Sequence, residues 1–326
     1  MLHQLLSLPE DSVPGAIIVF SRDEDKQHMQ RHELRDSRLH YVVGDIRDFD
    51  AIRRALRGVD IVIHAAALKH VSTGELFPEE MIATNIRGSS NVIEAAINNG
   101  VNRVVCVSTD KAVYPINTYG MSKAISEKLV AAAVTRSSSS KLSTTFCTVR
   151  YGNVMGSRGS VIPLFKRQIA KGEPLTITDG NMTRFLLKLT QAVSLVRHAI
   201  DFGKCGRLYV KKSPACTVST LVAALEKHYA RKCEHVVVGS RPGEKMHETL
   251  MSSDETDRAV DEVDGIDGSA ITAIRPYEEF GPVPDENTVA RFTAPLVAGG
   301  ADFTSLDTQQ LDIAGVTQLL QEAKVL

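Results

Sequence analysis

The sequence predicts an α/β fold built on a doubly wound parallel sheet, followed by a smaller α/β domain. Two observations carry this prediction. Brief, nearly continuous apolar runs rich in β-branched residues alternate with amphipathic stretches, and unusual polar residues collect where the runs end. A length of 326 residues is enough for one large or two modest domains with a sizeable core.

The elements are read in order. Residues 16–20 (AIIVF) and 39–43 (LHYVV) are strand-like, and 60–67 (DIVIHAAA), 103–107 (RVVCV) and 144–150 (TTFCTVR) follow. Between them, residues 49–56 place Ile52, Ala55 and Leu56 on one helical face. Residues 85–98 do the same with Val92, Ala96 and Ile97, and residues 121–134 with Ile125, Leu129 and Ala132. Residues 136–143 (RSSSSKLS) read as a polar surface loop. The pattern changes near Gly156, which sets the expected division at 1–160 for the doubly wound domain and 161–326 for a smaller, lid-like region. Some later segments are expected to return to the first domain. Residues 207–210 and 235–238 are strand-like, the acidic run 254–267 reads as a solvated loop, and residues 305–326 close the chain with a helix turning Val316, Leu319 and Leu320 inward.

Composition narrows the function. Hydrophobic residues make up 43% and charged residues 24%, and the net charge is −1. Such a chain has no global basic field for nucleic acid or anionic lipid, so positive partners for an anionic ligand must be local. Five scattered cysteines include no CxxC pair, which argues against a zinc site or a disulfide framework and for a reducing, cytoplasmic setting. No apolar run approaches the roughly 18 residues of a membrane helix, and no secretory signal pattern opens the sequence. His64, His70 and His247 lack metal-ligand spacing and read as structural, and Cys106 reads as core.

The chemistry concentrates in residues 108–123, STDKAVYPINTYGMSK, where the fourth run ends and a helix begins. Tyr119 and Lys123 are four apart and share a helical face. An ammonium near a phenol lowers the phenol's pKa and makes it a usable acid/base for an alcohol being oxidised. Ser108 or Thr109 can hydrogen-bond the same substrate oxygen. Asp110 and Lys111 add a second acid and base, which plain alcohol oxidation does not need. Elimination of water across a sugar's C5–C6 bond needs such a pair once C4 is a ketone. Tyr114 lacks a lysine four residues on and reads as packing or substrate-shaping.

This segment, together with HAAALKHV (64–71), RYGNVMGSRGSVIPLF (150–165), LTITDGNMTRF (175–185) and RPGEKMHE (241–248), resembles the UDP-N-acetylglucosamine 4,6-dehydratases of the extended short-chain dehydrogenase/reductase superfamily. These enzymes make precursors for flagellin glycans and capsular polysaccharide, and FTSLDTQQLDIAGVTQLL (303–320) is similar to the tail of the capsular branch. The resemblance implies a Rossmann-like domain that binds NADP and a UDP-N-acetylglucosamine substrate. It implies that Tyr119, assisted by Thr109 and Lys123, handles the O4 proton, that Lys111 removes the C5 proton and that Asp110 protonates the departing C6 hydroxyl. It further implies that burial beside another cation lowers the lysine's pKa. Tyrosine at position 119 favours the soluble branch that inverts C5. Cofactor contacts fall on Arg22, at the adenosine 2′-phosphate, on Asp45 and Ile46, at the adenine, and on Ala65, Ala66, Ala67, Lys69, Tyr119 and Lys123. Substrate contacts fall on Lys69, Asn153, Arg158, Arg184, Arg241 and Glu244, the arginines suiting diphosphate because their donors form a planar fork. Relatives being commonly oligomeric, a homo-oligomer is expected.

The sequence also departs from the family pattern. The family opens with a strand and a GxxGxxG-like turn that brings backbone N–H groups to the cofactor pyrophosphate. Here the first glycine is Gly15, and residues 16–20 correspond to the family's second strand. About 20 residues of the opening βαβ unit are therefore expected to be missing, through a start recorded too late or a true truncation. Loss of a central strand would expose two sheet edges. Lys188 stands where relatives often carry a small polar residue. Two further readings stay open: a nucleotide-sugar 4-epimerase or 4-reductase, which needs no C5 base, and a catalytically inactive nucleotide-sugar binder.

Overall fold

The computed structural model describes residues 1–9, 13–138, 144–157, 159–276 and 300–326. Five strands form where the β-branched runs stand: β1 (Ile17–Ser21), β2 (Leu39–Val43), β3 (Ile61–His64), β4 (Arg103–Thr109) and β5 (Thr145–Tyr151). They are followed by β6 (Leu175–Ile177), β7 (Thr183–Phe185), β8 (Leu208–Val210), β9 (Ala215–Thr217) and β10 (His235–Val237). The last are β11 (Thr249–Met251), β12 (Ala259–Val263), β13 (Ala270–Ile274) and β14 (Phe303–Thr304).

The main sheet has the order β12-β13-β8-β5-β4-β3. β3, β4, β5 and β8 run parallel, whereas β13 and β12 add antiparallel edges. Its parallel strands are apolar on both faces because helices cover both. On one side Val104, Cys106 and Phe146 pack with Ile93, Ala96, Val130 and Ala133. On the other, Val105, Cys147 and Val149 pack with Leu195, Val196 and Ala199. A separate apolar cluster unites the helices Val161–Lys171, Val218–His228 and Ile313–Glu322, with Val316 and Leu320 buried and Leu319 packed against it.

β1 pairs in parallel with β2, and the two form a sheet of their own. β1 and β3 each keep one edge without a strand partner among the described residues.

Two expectations are corrected. The helix predicted at 121–134 spans Thr118–Ser138, so it takes in the start of the serine-rich stretch, whose residues 139–143 lie outside the described residues. The acidic run 254–267 is not a solvated loop: it contains the helix Ser253–Asp257 and β12, and Asp264 is 1% exposed. Its acids have distant partners that hydropathy does not show. Glu255 meets Arg150, Asp261 meets Lys212, Glu262 meets Arg207 and Asp264 meets Lys211.

Candidate active site

The carboxyl end of β4 carries the site, where ligands of open α/β sheets bind. Thr109 caps a 3₁₀ turn, Asp110–Ala112, and the helix Thr118–Ser138 returns over it. That return is unusually close. A Cβ built on Gly120 would lie 2.2 Å from the Lys111 carbonyl oxygen, so only glycine lets Tyr119 approach the Asp110–Lys111 turn. Nothing in the sequence pattern singles out Gly120, because its partner, the Lys111 carbonyl, is set by the fold.

Thr109, Asp110, Lys111 and Tyr119 are brought together. Thr109 Oγ1 donates to Asp110 Oδ1 at 2.8 Å and shares a hydrogen bond with the Tyr119 hydroxyl. Lys111 Nζ lies 3.1 Å from Asp110 Oδ1. Strand alternation separates Ser108 from this group: it is buried and donates to Glu127 at 2.5 Å. Of the two hydroxyls weighed from the sequence, Thr109 faces the tyrosine.

Glu248 was not anticipated. Its segment is docked by Asn117 Nδ2 donating to Gly243 O at 2.8 Å and by Lys245 Nζ donating to Val113 O at 2.6 Å. The Glu248 amide then donates to Ser305 Oγ at 2.9 Å, and its carboxylate lies 3.2 Å from Lys111 Nζ. Asp110 Oδ2 and Glu248 Oε2 are buried without hydrogen-bond partners. An orphaned carboxylate oxygen in the interior is costly and leaves an acceptor free for a ligand or a water.

The electrostatics revise two expectations. Burial pushes the Tyr119 phenol up, and the opposing cation is Lys111, aided by the Thr109 hydrogen bond, rather than Lys123. Lys123 is deeply buried near Cys106 and Glu127, burial lowers its pKa, and it makes no ion pair among the described residues. Lys111 is also opposite to expectation. Burial disfavours its charge, as does Arg184, but Asp110 and Glu248 outweigh both and hold its pKa above the ordinary lysine value. Burial raises Asp110, with Glu248 adding to the rise and Lys111 opposing it.

The other predicted residues spread around this centre. Arg22 and Asp45 pair at 3.3 Å beyond the ends of β1 and β2, and Arg47, also unanticipated, grips Asp45 at 2.7 Å. The Ile46 side chain is core, packed with Ile52, Val92 and Ala95, which leaves only its backbone for a ligand. Ala65, Ala66 and Lys69 are exposed after β3, and Ala67 is half-buried. Asn153 has a buried amide oxygen without a partner. Arg184 is turned inward, donating to Thr183 O at 2.8 Å and standing 3.9 Å from Glu248 Oε1. Arg241 is exposed, its amide 3.5 Å from Glu244 Oε2. Arg158 lies outside the described residues.

His64 is buried against Ser89 at 2.9 Å, and burial brings its pKa down to about 3, which fits the structural role expected. Tyr114 donates to Asp302 at 3.1 Å. Lys188 pairs with Glu322 at 3.0 Å, tying the closing helix to the rest. No group of three or more metal-ligating side chains is found among the described residues, and no described helix is long and apolar enough to cross a membrane.

A family profile described as "polysaccharide biosynthesis protein" matches residues 2–266. Relatives named UDP-glucose 4-epimerase in Rickettsia rickettsii (strain Sheila Smith) and Rickettsia prowazekii (strain Madrid E) are each 44% identical, over 93% of this chain and 86% of the relative. Among solved structures, Pen from Bacillus thuringiensis has a TM-score of 0.84 at 34% identity, covering 98% of this chain and 93% of that one. DesIV, a dTDP-glucose 4,6-dehydratase from Streptomyces venezuelae solved with NAD and TYD bound, has a TM-score of 0.68 at 26% identity, covering 75% and 82%.

Proposed function

The chain belongs to the polysaccharide biosynthesis protein family, whose Rossmann-like neighbours modify nucleotide sugars, and from that premise we propose that it is a 4,6-dehydratase of UDP-N-acetylglucosamine. The observation that carries this reading is the Asp110–Lys111 pair set beside Thr109 and Tyr119. Oxidation at C4 alone uses a tyrosine. Loss of water from C5 and C6 also needs a base at C5 and an acid at O6, and this pair offers both.

The roles follow. Tyr119 takes the O4 proton, with Thr109 fixing the oxygen's position. Lys111 in its neutral form takes the C5 proton, and Asp110 gives its proton to the C6 oxygen as that C–O bond breaks and water leaves. Completion of the 6-deoxy sugar needs a hydride at C6, which bound NADP would supply, and a proton at C5; delivery of that proton to the face opposite the one deprotonated gives the inverted sugar, a precursor for capsule, surface polysaccharide or flagellin glycan. Residues suited to NADP are present: small Ala65–Ala67 beyond β3, a buried Lys123 lacking an ion-pair partner, and Arg22 beside Asp45 for the adenosine end, where an arginine favours NADP over NAD. When bound, NADP supplies the reversible redox chemistry at the sugar. Lys69, Asn153, Arg241 and Glu244, with Arg158 and Arg184, are the proposed substrate contacts.

Burial raises Tyr119, and the two carboxylates raise Lys111. Both bases are therefore protonated at neutral pH in the unliganded chain, and turnover is expected to climb as the medium becomes alkaline until Asp110 loses the proton it must donate.

A second reading, nucleotide-sugar 4-epimerase, is favoured by the name carried by the Rickettsia relatives. It leaves Asp110 and Lys111 without a task. Mass spectrometry of UDP-N-acetylglucosamine and UDP-glucose incubated with the chain and NADP or NAD separates the two. Loss of one water, abolished in Lys111→Ala and Tyr119→Phe, is the expected result. A product of unchanged mass and new retention time, formed equally well by Lys111→Ala, would sink the dehydratase reading in favour of epimerisation.

A further inference from the structure

Two buried carboxylates share one ammonium in this site, and they do not share it evenly. Lys111 Nζ lies 3.1 Å from Asp110 and 3.2 Å from Glu248, whose side chains are 1% and 4% exposed. With two carboxylates withdrawn from water around one shared ammonium, the carboxylate with fewer other cations is the one favoured to keep its proton. The surrounding charges decide which. Glu248 has a second cation, Arg184 Nε, at 3.9 Å, whereas Lys245 faces both carboxylates and does not distinguish them. Asp110 faces Lys111 as its main cation and Glu248 as a like charge, with the Thr109 hydroxyl as its other partner. Glu248 is also the better anchored, its backbone exchanging hydrogen bonds with Ser305 through Glu248 N to Ser305 Oγ at 2.9 Å and Ser305 N to Glu248 O at 2.8 Å.

We propose that Glu248 is the positioning residue of the Asp110–Lys111 pair: it is the carboxylate that stays ionised, it holds the Lys111 ammonium in place, and it leaves the proton on Asp110. The directions of titration agree. Burial works to raise Glu248, but Lys111 and Arg184 bring it below the ordinary glutamate value, whereas burial and Glu248 together raise Asp110. The catalytic consequence rests on the dehydratase reading, because a proton held on Asp110 is the one that O6 would need. The uneven ionisation does not depend on that reading.

The first test therefore uses no turnover. Lys111 in the intact chain is acetylated with acetic anhydride across a pH series and quantified by peptide mass spectrometry. Glu248→Gln removes one of two anions beside Lys111, so the midpoint of labelling should fall by about one pH unit or more. Glu248→Asp keeps the charge but withdraws it by one methylene, so its midpoint should lie between the two. An unchanged midpoint in a folded Glu248→Gln overturns the proposal, and if that variant does not fold, an unchanged midpoint in Glu248→Asp does so.

The second test is the pH–rate profile for water loss. Glu248→Gln should move both limbs to lower pH, since an anion has left the neighbourhood of both Lys111 and Asp110. A uniform loss of rate with the profile unmoved would mean that Glu248 merely packs, and overturns the proposal. A shifted labelling midpoint in a chain that releases no water would sink the dehydratase reading and leave the assignment of Glu248 standing.

Discussion

Two buried ion clusters stand at neighbouring strand ends and are built from similar parts, yet one is complete and the other is not. On β5, Arg150 directs Nε and Nη2 at Glu127 at 3.0 and 2.5 Å, and Nη1 and Nη2 at Glu255 at 2.7 and 2.9 Å. A further donor bond reaches Leu250 O at 3.1 Å. All four carboxylate oxygens are used. Beyond β4, Lys111 meets Asp110 and Glu248, and two carboxylate oxygens are left over. The planar fork of arginine suits closure of a network, whereas a lysine's compact charge can be shared and changed. The first cluster joins the sheet to the helices Thr118–Ser138 and Ser253–Asp257, and the second keeps the hydrogen-bonding capacity that the proposed reaction would use.

This contrast can be tested by loss of function against loss of stability. The largest effect is expected from Lys111→Ala, with water loss slowed about 10³-fold or more while the melting temperature falls less than in Arg150→Met, because Glu248 keeps Arg184 and Asp110 keeps its proton. A comparable fall in melting temperature would make the two clusters alike. Arg150→Met should do the reverse. It strands two buried carboxylates at a cost of about 3–5 kcal/mol, read by denaturant unfolding. Gly120→Ala should come next, slowing turnover about 10²-fold through a displaced Asp110–Lys111 turn, and a rate near that of the parent would show that the close approach is dispensable.

The pH dependence of stability should have opposite signs for Glu255 in the first cluster and Asp110 in the second. Burial opposes the charge on Glu255, but Arg150 holds its pKa below the ordinary value. Its contribution is complete above the unfolded carboxylate value near about 4 and is lost as pH falls through the folded value. Asp110 is raised, so its contribution is complete below that unfolded value and is lost as pH rises through the folded one. Calorimetry across pH should find Glu255→Gln losing ground to the parent as pH rises, and Asp110→Asn gaining. Trends of the same sign would contradict the assignment. The smallest effect belongs to Ser108→Ala, about 1 kcal/mol of stability with turnover nearly unchanged, because Glu127 keeps both arginine contacts.

Much of this was legible in the chain because the signals are local. β1 to β5 lie where apolar β-branched residues follow one another, and residues 108–123 carry a tyrosine, a lysine and an acid–base pair within one turn and one helix. What was not legible depends on partners far away in sequence. Glu248 closes on Lys111 only after its segment docks on Asn117 and Val113. The acids of 254–267 look solvated until Arg150, Arg207 and Lys211 meet them. The i, i+4 spacing placed Tyr119 and Lys123 on one helix, but burial and neighbouring charges determine which cation acts on the phenol.

The separate β1–β2 ladder has a consequence for breathing of the fold. It is fastened to its surroundings by side chains: Gln27 Nε2 donates to Val42 O at 3.0 Å and Ser21 O at 3.1 Å, Phe20 packs beside Ile52, and Asn91 Nδ2 donates to Ile46 O at 3.0 Å just past β2. Without ladder bonds to β3, this pair is a cooperative unit of its own, able to open while the central sheet stays closed. Its amides should exchange with deuterium ahead of those of β4 and β5. If Arg22 holds a nucleotide as proposed, binding would spend part of its affinity quieting that motion, and slower exchange in β1 would be the first sign of its arrival.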